Sequence, residues 1–539
     1  MYRKRLLALS MAVLLAAMSF AGCSGKTNET EAPKETEAPT SASSETGGDA
    51  EQSDDSEKAR ITMMLIDHNG SPLSAEGSDH VKQMVSDHTN TIIDDDTIRW
   101  VPNDVYTEQL GLTLLNKDNM PMILTVNGPV NSTIAQAASA GAFWDLTDYL
   151  FDEEKYPNLA QANKSVLEQL TVNGEIIGIY RARPIGRNGI GYRQDWADRL
   201  GIAEPETMED IYNMAYAFTY DDPDGNGIDD TYGFTFSKNM DTLEILQAYF
   251  GGGNKWIEKD GELVPSHTTQ EYRDGLEWLK KMYDDGLVYE DWAVREASGA
   301  QDTVRNGECG MMANVLDDAR RVWDYFDNNE IPAVTGDGIA SMNLIGALKR
   351  DENSEKSILA TTGMNGFFAI TKAAATEAEL EACLRFLDKM CDEEMMLIGD
   401  YGVEGVTYEF NAEGNLVTTT DGAPLASLGH NGVNQAIAYI PNEIVAAPIE
   451  LSLGRILEYA VKEDNIQYAV YNSAAAFLNN SPTYSLNGGN LDEIIQRART
   501  QYICGEIDEA GLEAQYREWE NAGGAKVIEE VNAQFKALR

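Results

Sequence analysis

From Ala59 to Arg539, short apolar bursts alternate with amphipathic stretches over about 480 residues, and this alternation narrows the fold more than any other feature of the chain. The bursts "ITMMLI", "TIRWV", "MPMILTV", "EIIGIY", "CGMMANV" and "GFFAIT" have the length and composition of buried strands. Between them "DVYTEQLGLTLLNKD", "TMEDIYNMAYAFTY", "TTQEYRDGLEWLKKMYDDG" and "ILEYAVKED" carry helical periodicity, and "LDEIIQRARTQYICG" and "DEAGLEAQYREW" close the chain in the same way. Strands that alternate with helices predict an α/β protein with mainly parallel sheets, whose ligands sit beyond the carboxyl ends of the strands. The length exceeds what one core supports, so two lobes are expected.

The first residues are of a different kind. Arg3, Lys4 and Arg5 precede the apolar run "LLALSMAVLLAAMSF", which stops at small residues before Cys23. Residues 1–22 read as an export signal, too short and too poorly flanked for a stable membrane span. "FAGC" resembles a bacterial lipobox, whose cysteine is diacylated, palmitate among the acyl groups, and becomes the mature N-terminus; Phe20 stands where leucine is usual. Two acyl chains on Cys23 would anchor the protein durably to the membrane. The alternative is a plain secretory signal with an incidental cysteine. Residues 23–58, rich in Ser, Thr, Glu, Pro and Gly, cannot bury enough surface to offset their ordering entropy and are expected to be a disordered tether.

Lys and Arg total 41 against 89 Asp and Glu, a formal net charge of −48 at pH 7. Such a chain repels phosphate backbones, which argues against nucleic acid as a partner. Cys309, Cys383, Cys391 and Cys504 form no C-x-x-C pair and have no histidine at zinc spacing. Cys383 and Cys391 share a helix face with Leu380, Leu384 and Leu387, which reads as buried thiol.

One segment carries metal chemistry. In "DDPDGNGIDD", taking Asp222 as position 1 places Asp224 at 3, Asn226 at 5, Gly227 at 6, the Ile228 carbonyl at 7 and Asp230 at 9, which is the spacing of a calcium loop. Position 12 is Gly233 rather than a bidentate glutamate, so Thr231 or a water must complete the shell. The three carboxylates would repel one another without a cation. A single loop lacks the paired partner a sensor needs, so the expected role of Ca2+ is structural. A solvated Asp/Asn/Gly turn is the alternative.

The run "NGEIIGIYRARPIGRNGIGYRQDWADRLGIAEPETMEDIYNMAYAFTYDDPDGNGIDDTYGFTF" resembles the centre of bacterial extracellular solute-binding proteins of family 1, and in particular LplA/LipO-like sugar-binding lipoproteins and alginate-binding transport proteins. "YDDGLV", "RNGECGMMAN", "GFFAIT", "YGVEGVTYEF" and "CGEIDEAGLEAQYREW" extend the resemblance over most of the chain after the tether. It implies a two-lobed periplasmic-binding-protein-like fold of type II, similar to maltose-binding protein, in which a hinge joins residues 59–185 and 366–445 to residues 190–362 and 446–539. It further implies a monomeric receptor that clamps an oligosaccharide or another small solute between the lobes and delivers it to the transmembrane subunits of an ABC permease. Its expected location is the extracytoplasmic face of the cell membrane, more in keeping with a Gram-positive surface than with a periplasm.

Candidate ligand contacts follow from the same comparison. Trp256, after the glycine turn "GGGNK", resembles a family position that stacks on sugar, with a packing role as its alternative. Tyr192 and Arg193 in "GYRQDW" match the hinge-side segment, and Arg193 could instead close an interlobe salt bridge. Arg181, Arg183, Arg187 and Arg193 crowd together in a very acidic chain, either to hold a carboxylate or sulfate of the ligand or to neutralise the protein's own acid. Asn127, after "MPMILTV", and Asn365, before "GFFAIT", stand where α/β sheets present loops to a cleft. Trp144 reads as core, and Glu404 and Tyr408 match a family motif whose alternative role is purely structural. No H-E-x-x-H, G-x-S-x-G or P-loop pattern occurs. A secreted glycosidase remains a rival, since so many acids could supply its two carboxylates, and so does a cell-surface adhesin on the same scaffold.

Overall fold

A computed structural model describes residues 58–68, 72–74, 78–116, 119–237, 241–289, 291–295, 297–418, 429, 432–440 and 451–537. The export signal, Cys23 and nearly all of the tether lie outside these residues. Lys58 already belongs to the fold, donating to Ser86 Oγ at 3.0 Å and pairing with Asp87 at 2.6 Å. None of the helices among the described residues is long and apolar enough to cross a membrane.

Two sheets organise the molecule. Their strands are β1 (Met63–Asp67), β2 (Ile98–Pro102), β3 (Ile123–Val126), β4 (Ile179–Ala182), β5 (Asn188–Arg193), β6 (Tyr232–Thr235), β7 (Cys309–Val315), β8 (Met342–Ile345) and β9 (Met364–Ile370). The first sheet has the order β2-β1-β3-β9-β4 and the second the order β8-β5-β7-β6. The expectation of mainly parallel pairing needs correction. β1 pairs parallel with β2 and β3, but β9 is antiparallel to both of its neighbours, and β5 is antiparallel to β7 and β8. The cause is connectivity, because β9 and β5 are each entered by a segment that arrives from the other sheet rather than by a crossover helix within the same one.

Each sheet has its own core. The first draws on Ile61 to Ala182 and Met364 to Ile440, and the second on Ile190 to Leu359 together with Ala498 to Leu512. Local sequence sets the helices that cover them. Thr207 caps helix Met208–Tyr220 through a reciprocal bond with Asp210, and Thr376 with Glu379 does the same for Glu377–Lys389, whose Cys383 is buried as its spacing predicts, with Cys391 buried just beyond the helix end. In β5 the glycines matter more than the apolar residues. A Cβ at Gly191 would run into the Ala319 side chain, so glycine lets helix Leu316–Asn328 lie directly on the strand.

Among the described residues two segments cross between the sheets, β4 to β5 and the approach to β9, and they are tied together. Arg183 N donates to Gly363 O at 3.0 Å, Thr361 N to Ile185 O at 3.0 Å, and Asn188 Nδ2 to Leu359 O at 2.9 Å. The fully buried Asn465 clamps the same place, donating to the carbonyls of Gly186 and Asn188 at 2.8 and 2.9 Å.

Candidate functional site

β1, β2, β3 and β4 point the same way, so their carboxyl ends share one edge of the first sheet, together with the start of β9. Asn127 follows β3 there and is exposed. Val126 pairs with Phe367, which brings Asn127 opposite Gly366 and beside the exposed Asn365. Gly366 has φ +76°, and its pairing with β4 slips between Met364 and Phe367, a bulge that turns Asn365 outward. His68 follows β1 on the same edge, and the positive charges of Arg181 and Arg183 reach it; burial, then Arg181, and after them Arg183, lower its imidazole below the ordinary value against the opposing charge of Asp67.

The four arginines separate into two kinds. Arg187 grips Asp317 through two hydrogen bonds, of 2.8 and 3.2 Å. Arg193 is buried and holds Asp195 with two bonds of 2.8 Å, its guanidinium resting on the Trp196 and Phe326 rings. Arg193 is therefore a core residue of the second sheet, and its carboxylate partner lies two residues along the same chain rather than across the lobes. Tyr192 is likewise buried in that core, its hydroxyl accepting from Asn343 at 2.8 Å. Neither residue lies on an open face, because β5 is central in its sheet and is covered on both sides. Arg181 and Arg183 differ from these. Arg181 is buried with one side-chain bond, to Gln435 Oε1 at 3.2 Å, and its Nε has no partner; burial first, and then Arg183, bring its guanidinium down to about 10. Arg183 is half-buried, and among the described residues its guanidinium donates only to the carbonyl of Ala182, at 2.7 Å.

A second concave feature lies beside the second sheet. Trp256 begins the hairpin Trp256–Lys259/Glu262–Pro265 and is only 5% exposed, which fits packing. It also walls a cavity of about 770 Å³, open mouth included, together with Trp519, Tyr484, His267 and Lys255. Lys255 has φ +63°, a left-handed backbone that a residue with a side chain adopts only when its surroundings impose it. Helix Pro482–Ile503 supplies the polar side. Its Tyr484 donates to Asp492 at 3.0 Å, and burial raises the Asp492 carboxyl above its ordinary value. Arg499 donates to Gln247 at 2.9 Å. Arg499 Nε, Gln247 Nε2 and Ser266 Oγ are buried beside this cavity and make no hydrogen bond of good geometry among the described residues, although the Arg499 and Gln247 side chains lie close to the Tyr272 hydroxyl. Such groups cost free energy unless something supplies the missing bonds. The same helix packs against Ser132–Ser139, which follows the Asn127 loop directly and therefore brings the cavity's helix next to the edge of the first sheet.

Of the cavity's residues, sequence reasoning found Trp256 alone. A signal for the others existed. Asp492 and Arg499 are seven residues apart on a helix whose face also buries Leu491 and Ala498, so polar groups interrupt an apolar stripe. Trp144 is half-buried, its Nε1 donating to Ala374 O at 2.8 Å. Tyr408 is buried and forms a bridge with Glu404, in a turn closed by the Thr407 hydroxyl, so this motif serves structure.

In the acidic loop, Gly225 and Gly227 take φ of +74° and +76°, and Asp222 takes +50°. Asp222 Oδ1 accepts from Gly227 N at 3.2 Å. Asn226 Nδ2 donates to Asp224 at 2.7 Å and to Asp230 at 3.2 Å. Burial, with Asp222 and Asp230 nearby, raises the Asp224 carboxyl above its ordinary value. Among the described residues no group of three or more His, Cys, Asp or Glu side chains converges on one metal position. The loop nonetheless fits a calcium ion in kind, since the Asn226 amide now bridges two carboxylates that a cation would otherwise draw together. The exposed Ile228 leaves its carbonyl as its only possible ligand. Thr231 departs from expectation, for its buried hydroxyl donates to Phe218 O at 2.8 Å beneath the preceding helix, which leaves water to complete a shell.

Two tied sheets with separate cores, flanked by concave polar and aromatic surfaces, define a ligand-binding protein of the α/β class. The family described as bacterial extracellular solute-binding protein matches residues 104–406, and the chain belongs to it. It is 32% identical over 449 residues to lipoprotein LipO of Bacillus subtilis (strain 168), covering 82% of this chain and 86% of LipO. It is 30% identical over 493 residues to the polygalacturonan/rhamnogalacturonan-binding protein YtcQ of the same organism, covering 89% and 92%. Among solved structures, the S. pneumoniae ABC-transporter substrate binding protein FusA, as an EF-hand mutant in complex with fructo-nystose, matches with a TM-score of 0.60 at 17% identity, over 89% of this chain and 99% of that one. That likeness is one of fold, and the fold is that of the two-domain solute-binding proteins.

Proposed function

We propose that the chain is the receptor of an ABC importer, anchored by acyl groups on Cys23, which captures an oligosaccharide between lobes 59–185/366–445 and 190–362/446–539 and hands it to the permease. Carbohydrate is favoured because the relative YtcQ, matched over 89% of this chain, carries a polysaccharide-binding name. The observation that carries the reading is a cavity in the second lobe, whose helix Pro482–Ile503 packs against Ser132–Ser139 of the first, and in which the aromatic walls Trp256, Trp519 and Tyr484 stand beside the buried polar groups of Arg499, Gln247 and Ser266. A sugar offers an apolar ring face to the former and hydroxyl groups to the latter. Ligand affinity greater for the closed arrangement of the lobes would drive a hinge motion about the two crossing segments.

We assign calcium a structural role in the loop Asp222–Asp230, supported by its spacing and by the raised Asp224 carboxyl, with no part in ligand chemistry. The protein is read as a monomer on the outer face of the membrane. Titration calorimetry of the secreted chain, with Cys23→Ser, against oligosaccharides, followed by chromatography of the mixtures, tests the function. The expected result is saturable binding without shortened products, weakened at least ~10-fold by Trp256→Ala, a loss in keeping with one aromatic contact. Release of shortened sugars would make the protein a glycosidase, and absence of binding to every sugar would remove the receptor.

A further inference from the structure

The division among the four arginines has a chemical meaning. Arg187 and Arg193 each hold a carboxylate of the protein. Arg181 and Arg183, on one face of β4 and its extension, hold none among the described residues, in a chain with 89 acidic residues against 41 basic. Nearby acids are occupied, since Asp317 is shared by Arg187 and Lys462, and Asp400 accepts from Tyr439 at 2.7 Å. A guanidinium presents five donors in a fixed fork, and burying one without a counter-charge is costly. Among the described residues the Arg183 fork makes one bond, to its neighbour's carbonyl, and the buried Arg181 leaves Nε unpartnered. Arg183 also lies opposite Gly363, two residues from the exposed Asn365, with Asn127 across the bulge. Two neutral amides therefore share the sheet edge with two arginines that form no ion pair among the described residues, at the edge where such folds bind ligands.

From this geometry we infer that the edge is an anion subsite, in which Arg183, backed by Arg181, takes the carboxylate of a uronic-acid residue while Asn127 and Asn365 bind neighbouring hydroxyls. The inference rests on the oligosaccharide reading and sharpens it to acidic saccharides. A singly charged carboxylate suits the site better than a polyanion, because the net charge of −48 repels dense negative charge at long range. The planar carboxylate also matches the fork bidentately.

Twin ligands separate the possibilities. The secreted chain is titrated with oligogalacturonides, oligoalginates and rhamnogalacturonan fragments, each against its carboxyl-reduced counterpart, at two salt concentrations. The expected result is a preference of ~10- to 100-fold for at least one uronate over its reduced twin, the scale of a hydrogen bond to a charged group, and weaker binding at high salt. Arg183→Gln brings the two affinities together, and Arg183→Lys restores part of the gap. Equal binding of every pair by the unaltered chain overturns the subsite and leaves the receptor intact, as does a preference that survives Arg183→Gln. Should the variant fail to fold, the twins on the unaltered chain decide alone. Failure to bind any saccharide, charged or reduced, would instead count against the receptor reading.

Discussion

Arg187 Nε and Nη2 bond to the two carboxylate oxygens of Asp317, at 2.8 and 3.2 Å, and so fasten the segment between the sheets to the first turn of helix Leu316–Asn328. Asp317 also receives Lys462 at 2.9 Å, Lys462 pairs with Glu458 at 2.5 Å, and Glu458 with Arg320 at 2.7 Å. Burial pushes the Asp317 carboxyl up, but Arg187 and Lys462 prevail and hold it well below the usual carboxylate range. Removing Arg187 leaves Asp317 with Lys462 alone, a cation that Glu458 also shares. Arg187→Met is expected to cost about 2–4 kcal/mol in urea unfolding, toward the lower end of buried pairs because Arg187 is partly solvated. Equal midpoints for variant and parent would show that the network does not hold the hinge. Because the folded carboxyl is depressed, its contribution is full above the unfolded value and lost as pH falls through the folded one. Asp317→Asn should therefore lose stability at neutral pH and show a smaller further loss in acid.

Gly191 tests close packing rather than charge. Its missing side chain lets Ala319 sit against β5, and a methyl group there forces helix Leu316–Asn328 outward. Overpacking of this kind costs about 1–3 kcal/mol, so Gly191→Ala should lower the thermal midpoint measured by calorimetry. Gly489, with open space around its Cβ position on helix Pro482–Ile503, is the control, where alanine should raise the midpoint slightly. A neutral result at Gly191 would contradict the packing.

These two regions also mark how far the sequence could be read. β1, β2, β3, β7 and β9 lie in apolar bursts that periodicity exposes. β5 does not, since Gly189 and Gly191 replace the apolar residues that signal a strand, and its meaning depends on a helix more than 120 residues later. Helix Pro482–Ile503 was legible only from Leu491 onward. The earlier turns contain "SLNGGN", which resembles a loop, although Ser481 caps the helix and Pro482 opens it. For the arginines, Asp195 is two residues from Arg193, but Asp317 is 130 residues from Arg187, and only the fold brings it there. The cavity was hidden for the same reason, being assembled from the hairpin at Trp256 and from helices Asp241–Ala248, Gln270–Asp284, Pro482–Ile503 and Glu509–Trp519.

His267 gives the protein a specific acid response. Its ring packs against Trp519 and Tyr516, at centroid distances of 4.5 and 5.1 Å, and burial pushes its imidazole down to about 3 from an ordinary 6.5. The unfolded chain takes up this proton first, so the contribution is complete above pH 6.5 and is lost progressively as pH falls toward 3. In that window the unfolding free energy should fall by up to about 1.4 kcal/mol per pH unit on account of this one group. His267→Phe keeps a ring in place and should reduce the slope between pH 6.5 and 4.5 by about one proton, as read from urea midpoints. Parallel pH profiles for the two proteins would mean that His267 is protonated in the folded state.

The acidic loop tests whether a cation braces the second sheet. Asp222, Asp224 and Asp230 share one turn, and burial first, with the two neighbouring carboxylates after it, raises the Asp224 carboxyl. The Asn226 amide relieves only part of it, through bonds to Asp224 and Asp230. Calcium bound at a hundred times its dissociation constant would add about 2.7 kcal/mol. A chelator should accordingly lower the thermal midpoint and added calcium restore it, while Asp224→Asn should remove this dependence. Thr231 bonds to Phe218 rather than to the loop, so Thr231→Val should leave calcium affinity nearly intact and instead lower stability through the lost hydrogen bond, by about 1 kcal/mol. Because the loop extends from helix Met208–Tyr220 and not from the cavity or the edge at Arg183, saccharide preference should be the same with and without calcium. A midpoint indifferent to both chelator and calcium would reduce the segment to a hydrogen-bonded turn, and a calcium-dependent change in preference would give the ion a part in recognition.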